Sequence, residues 1–185
     1  EIRYDPEEAW RTVDYPYVAV TQTYELVDGP APLAFAVNEP VKVLSEYTTW
    51  LRDRGDLAAF SVPGDTYTVI SMVPDPTEEQ LQAAQDPYPA WIEERFLNLP
   101  RTVPDRVREE AERIIREAGA TTRYEKARAI EAHIRDFDYV LDLEPPALDA
   151  DYVDYFLFDA QEGYCDYSAS AMTVMLRSIG VAARY

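Results

Sequence analysis

The chain has 185 residues, 17 basic against 35 acidic side chains, and a net charge of −18. That balance argues against nucleic acid as a partner, because phosphate binding needs a Lys/Arg footprint, and against docking on anionic lipid through this piece. No apolar run approaches the roughly 18 residues of a membrane span, so the piece is expected to be soluble, and a single cysteine leaves no intramolecular disulfide to read.

The chain begins at Glu1, not Met, which fits a processed or trimmed product. Residues 1 to about 16 are polar and aromatic (Tyr4, Trp10, Tyr15) and read as an extended lead-in. Residues 17–26 are β-branched and aromatic and stop at Asp28-Gly29-Pro30, which predicts a strand and a turn. Residues 33–37 predict a second strand and 41–44 a third. Residues 57–62 and 67–73 flank Pro63-Gly64-Asp65 and predict a hairpin-like pair. Residues 1–74 are therefore expected to form a small β-domain without a catalytic constellation. Residues 75–100, punctuated by proline, read as a connector. It starts a short helix at Thr77-Glu78-Glu79-Gln80 and is expected to pack on the second domain through Trp91, Phe96 and Leu97.

Residues 101–185 open with a helix. Thr102 is the expected cap, Pro104 suits the first turn, and Val107, Ala111, Ile114, Ile115 and Ala118 recur at helical spacing up to Gly119. A second helix starts near Thr121-Thr122 with Tyr124, Ala127, Ile130, Ile134 and Phe137 on its apolar face. The lone histidine, His133, flanks that face and reads as a surface or half-buried residue. Asp136, Asp138 and Asp142 raise a calcium loop, but its sixth and twelfth positions hold Leu141 and Ala147 where Gly and Glu are needed. No metal or cofactor is expected. The aromatics of residues 151–158 are expected to pack on the next helix.

That helix carries the only cysteine, which by residue type alone reads as a small buried hydrophobe or as a nucleophile. Gly163-Tyr164-Cys165-Asp166 reads as a tight turn that delivers the only cysteine to the first turn of an apolar helix (Ala169, Ala171, Met172, Val174, Met175, Leu176, Ile179), stopped by Gly180 before a new strand. A helix N-terminus carries about half a positive charge and free N–H groups. These favour a thiolate and can hold a developing oxyanion. The backbone N–H of Cys165 is the candidate oxyanion donor, and Tyr164 a candidate site wall. Asp166 would disfavour a thiolate if close, but helix geometry is expected to turn it about 100° away from Cys165. An all-round apolar helix is expected to be buried, with Arg177 paired to a carboxylate.

The pattern Gly163-x-Cys165-x-x-x-Ala169, then Leu176-Arg177-x-x-Gly180-Val181-x-Ala183-Arg184, resembles the core motif of the transglutaminase-like superfamily. Leu97-x-Leu99-Pro100, Tyr124-x-Lys126-Ala127-x-x-Ile130-Glu131 and Asp154-x-Phe156-Leu157-Phe158 look like its bacterial membrane-anchored branch. The resemblance covers roughly the second half. It implies an α+β fold, a small N-terminal β-domain followed by the helical part of a papain-like core. It also implies that Cys165 is the nucleophile of a thiol-dependent acyl transfer or amide hydrolysis on protein or peptide substrates, with Gly163, Arg177, Gly180 and Arg184 as structural motif positions. The parent is then extracytoplasmic and membrane-tethered. The family's His and Asp follow the Cys helix, and the sequence stops at Tyr185, so the chain reads as an excised piece, itself expected to be inactive, with an uncovered face that a partner chain covers or through which it self-associates. The alternative is a catalytically silent binding or scaffold module.

Overall fold

The structure is a computed structural model and describes residues 16–29, 31–51 and 57–185. The lead-in, but for its last residue, lies outside the described residues. The chain divides into two compact units, Glu1–Thr77 and Glu78–Tyr185.

The first unit is built on strands β1 (Tyr17–Glu25), β2 (Glu39–Val43), β3 (Thr48–Leu51), β4 (Leu57–Ser61) and β5 (Thr66–Pro74). An antiparallel sheet has the order β1-β5-β2, with Tyr17 opposite Pro74 and Glu25 opposite Thr66. Pro40 lies on the edge strand β2, where a missing N–H costs no ladder bond on the open side. Along β5, Tyr67, Val69 and Ser71 are buried at alternate positions, the period of a strand with one inward face. Tyr67 stacks on Tyr24 at 5.1 Å and meets Phe60 edge-on at 6.3 Å.

Two expectations fail in this unit. Strands β4 and β5 are not a hairpin pair: both edges of β5 are taken by β1 and β2, and β4 pairs instead with β3. Residues 33–37 form no strand. The Ala34 N–H donates to the Phe60 carbonyl at 2.8 Å, but the Phe35 N–H goes to the Tyr67 hydroxyl at 2.6 Å and the Val37 N–H to Gln22 Oε1 at 2.8 Å. Side chains satisfy this backbone, so no ladder is needed.

The second unit is mostly helical: α1 (Glu78–Ala83), α2 (Ala90–Phe96), α3 (Asp105–Glu117), α4 (Arg123–Arg135), α5 (Tyr152–Tyr155) and α6 (Cys165–Ser178). Two-residue strands β6 (Asp138–Tyr139) and β7 (Glu162–Gly163) pair in parallel. Helix α4 starts with a full capping box, Thr122 taking the Glu125 N–H while Glu125 takes the Thr122 N–H. Helix α3 starts after Pro104, and Thr102 does not cap it; an extended Pro104 can enter the helix without a side-chain bond. Val107, Ala111 and Ile114 of α3 meet Ile130 and Ile134 of α4 and Tyr167, Ala171, Met175 and Leu176 of α6 in one buried cluster.

Helix α5 runs into a π turn, Phe156–Ala160, closed by the Gln161 N–H on the Phe156 carbonyl at 3.0 Å. Gln161 then takes a left-handed conformation, φ 51°. Phe156 and Leu157 are buried under α6, and Tyr152 stacks on Tyr167 at 4.1 Å. The strand expected after Gly180 does not form: the Ala182 N–H donates to the Tyr88 hydroxyl and the Ala183 N–H to the Phe96 carbonyl, single bonds that make no ladder.

Candidate active site

Cys165 is the first residue of α6, and its side chain is exposed. The turn that delivers it is set by Gly163. A Cβ built there would meet Tyr167 Cβ and Cγ at 3.2 Å and Phe156 Cε2 at 3.3 Å, so a larger residue could not approach Tyr167 this closely. Strand β7 ties the turn down through the β6 ladder, and the Val140 N–H donates to the Gly163 carbonyl at 2.9 Å. Tyr164 is the N-cap residue, with an extended backbone and no side-chain capping bond. Its carbonyl accepts from the N–H groups of Tyr167 and Ser168. The N–H groups of Cys165 and Asp166 have no acceptor among the described residues. They are the orphan donors of the first turn, placed beside the sulfur.

The helix is not buried all round. Tyr167, Ala171 and Met175 form the buried stripe, while Ala169 is exposed and Met172 and Val174 are half-buried. Tyr167 anchors the tip, with Tyr152 stacked on it, Tyr164 edge-on at 5.0 Å and Phe156 at 5.8 Å. Burial first, then the neighbouring Tyr167 and Tyr164, pushes the Tyr152 phenol well above its ordinary range.

Asp166 does not point away. Its Oδ1 lies 3.7 Å from Cys165 Sγ and accepts a hydrogen bond from the Tyr185 hydroxyl at 2.8 Å. Side-chain rotamers inside a helix are restricted by the preceding turn. At the first two positions no preceding turn exists, so both short side chains can swing together. The hydrogen bond to Asp166 raises the Tyr185 pKa. Sequence reasoning missed Tyr185 and Tyr167 as parts of this site. Tyr167 carried a signal, since it lies four residues before Ala171 on the apolar stripe.

The other singled-out residues lie elsewhere. Among the described residues Arg177 pairs with no carboxylate: Nε donates to the Ala183 carbonyl at 2.9 Å and Nη1 to the Asn98 carbonyl at 3.0 Å. Two carbonyl oxygens, of Ala183 and Asn98, meet its charge in place of a carboxylate. Gly180 has φ 77° and closes α6, with the Val181 N–H on the Leu176 carbonyl at 2.9 Å. Arg184 is exposed. His133 belongs to the α3–α4 face, 3.6 Å from Glu110 and edge-on to Phe137 at 5.3 Å. Among the described residues no group of three His, Cys, Asp or Glu side chains could hold a metal ion, and no helix is long and apolar enough to cross a membrane.

Comparison with known proteins bears on this geometry. The model of the transglutaminase-like superfamily matches residues 111–185. A Bacillus subtilis relative, the uncharacterized protein YebA, is 37% identical over 95 residues, 50% of this chain and 13% of that protein. A Pseudomonas aeruginosa relative, protein-glutamine gamma-glutamyltransferase, is 35% identical over 103 residues, 56% of this chain and 15% of that protein. The chain thus spans only a small part of both relatives. The crystal structure of the periplasmic domain of TgpA from Pseudomonas aeruginosa, bound to ethylmercury, is similar in fold at a TM-score of 0.54 and 24% identity. That likeness covers 89% of this chain and 55% of the other. The fold is mixed α and β and transglutaminase-like, as the resemblance implied.

Proposed function

We propose, from the transglutaminase-like character of residues 111–185, that Cys165 is the nucleophile of a thiol-dependent acyl transfer carried out by a longer protein. The observation that carries the reading is the placement of the sulfur: exposed, on the first residue of a helix whose first turn is anchored by the buried Tyr167, and beside two backbone N–H groups without acceptors among the described residues. A base removes the thiol proton and the sulfur attacks the carbonyl carbon of an amide. The free N–H groups of Cys165 and Asp166 hold the oxyanion. The C–N bond breaks, the amine leaves with a proton, and a thioester remains. Water or a second amine then attacks the thioester and the thiol is restored.

His133 does not fit as the base, because it is engaged with Glu110 and Phe137. The base and its orienting acid are proposed to come from outside residues 1–185, as a papain-like triad requires. The acyl donor is proposed to be a glutamine carboxamide of a protein, a substrate class supported by the name of the Pseudomonas relative. The periplasmic origin of the TgpA domain supports an extracytoplasmic, membrane-tethered setting for the parent.

The test compares the longer protein with its Cys165→Ala variant, measuring amine incorporation and ammonia release from a glutamine-containing peptide. Loss of both to background is expected. Equal turnover in the variant would overturn the reading, and no turnover in either would favour a silent scaffold.

A further inference from the structure

The thiol of Cys165 has one side-chain acceptor among the described residues, and it belongs to the next residue. Sγ lies 3.7 Å from Asp166 Oδ1, and the same oxygen takes the Tyr185 hydroxyl at 2.8 Å. Tyr185 follows the Gly180 turn, so residues 181–185 run back along α6 to reach its first turn. This return is held by the Arg177 side chain on the Ala183 carbonyl. Asp166 has no cationic partner among the described residues. Among the described residues its side-chain hydrogen-bond donors are the phenol of Tyr185 and the Cys165 thiol, with the phenol of Tyr152 nearby.

Two influences on the sulfur are therefore opposed. The unpartnered N–H groups of the first turn favour negative charge on it. The carboxylate accepts its hydrogen and disfavours that charge. We propose that Asp166, held by Tyr185, is a positioning latch on Cys165: it keeps the S–H hydrogen engaged, and the sulfur is released for attack when the carboxylate turns away. This rests on the reading of Cys165 as the nucleophile and deepens it, since it names what restrains that sulfur. A substrate or neighbouring segment that draws the Tyr185 hydroxyl away would open the latch.

The test is alkylation of Cys165 by iodoacetamide across pH 6 to 9 in the full chain, read by mass spectrometry. The S–C bond forms as the C–I bond breaks, iodide leaves, and the thiol proton passes to buffer. The reagent is neutral, so the charge at position 166 does not alter its approach. A unit charge about 4 Å away in water accounts for about a fivefold change. Asp166→Asn should therefore raise the rate at pH 7 about fivefold and move the pH profile to lower pH. Tyr185→Phe should raise it less, in the same direction, and the double variant should be no faster than Asp166→Asn. A rate in Asp166→Asn at or below that of the parent overturns the latch, as do independent, multiplying gains in the double variant. Both side chains are exposed, so folding is not at stake. Alkylation needs no turnover: persistence of activity in Cys165→Ala would remove the nucleophile reading, while the latch stands or falls on the alkylation rates.

Discussion

Among the described residues, Phe60, Val62, Tyr67 and Val69 make up the buried apolar cluster of the first unit, while the second gathers residues from α3, α4, the π turn and α6 into a cluster about three times as large. Both units leave large apolar side chains outside: Phe35 is 60% exposed and Trp50 48% in the first, Trp91 42% and Tyr139 67% in the second. What distinguishes the second is the pair of aromatics beneath one helix tip, where Phe156 and Tyr167 are buried under the turn that carries Cys165. Precise placement of a reacting atom needs a seat that cannot shift, and dense packing supplies one.

The largest test of that contrast is a matched pair of cavities. Phe156→Ala should cost the second unit about 3–5 kcal/mol. Val69→Ala, which deletes two methyl groups from a fully buried position, should cost the first unit about 2 kcal/mol. Hydrogen exchange at the amides of α6 and of β5 reads the two separately, and equal costs would break the contrast. Gly163→Ala comes next. The added methyl must displace Tyr167 or Phe156 by a few tenths of an ångström, an overpacking worth about 1–3 kcal/mol. Thermal melting should fall, and alkylation of Cys165 should change with it because the seat has moved.

The smallest effect lies away from the site, in the α4 cap. Thr122→Ala should cost about 1 kcal/mol by denaturant titration. Glu125 is held at a pKa of about 2, below its ordinary 4.5, chiefly by the N–H groups of Thr122 and Thr121. Its folded-state pKa is depressed, so its contribution is present above about pH 4.5 and is lost as the pH falls toward 2. Glu125→Gln should flatten the stability profile in that window; an unchanged profile would show that the cap does not titrate with folding.

Where local chemistry decides, the sequence was readable. A helix is expected to start near Thr121-Thr122, and it starts at Arg123 behind a Thr122 cap. Gly163 and Gly180 flank α6 because a close approach and a left-handed stop each favour glycine. Long-range competition was not readable. Nothing within residues 57–73 says that β1 and β2 will claim both edges of β5, or that Tyr67 and Gln22 will satisfy the backbone of residues 33–37. The Asp166–Tyr185 bond depends on a return of the chain that spacing alone does not reveal.

The π turn has a consequence for how the chain tolerates changes in length. It holds one residue more than an α turn, so Phe156–Ala160 behaves as a helix with an insertion already in place. Deleting any one of those residues would leave hydropathy and charge nearly intact, yet restore ordinary helical phase. Everything downstream would rotate by about 100° and draw back about 1.5 Å. Gly163 would lose its register with Tyr139, and the cysteine would face a different direction from the same address in the sequence. In this stretch a missing residue is a larger event than most exchanged ones, and the count of residues is as much a part of the site as the sulfur.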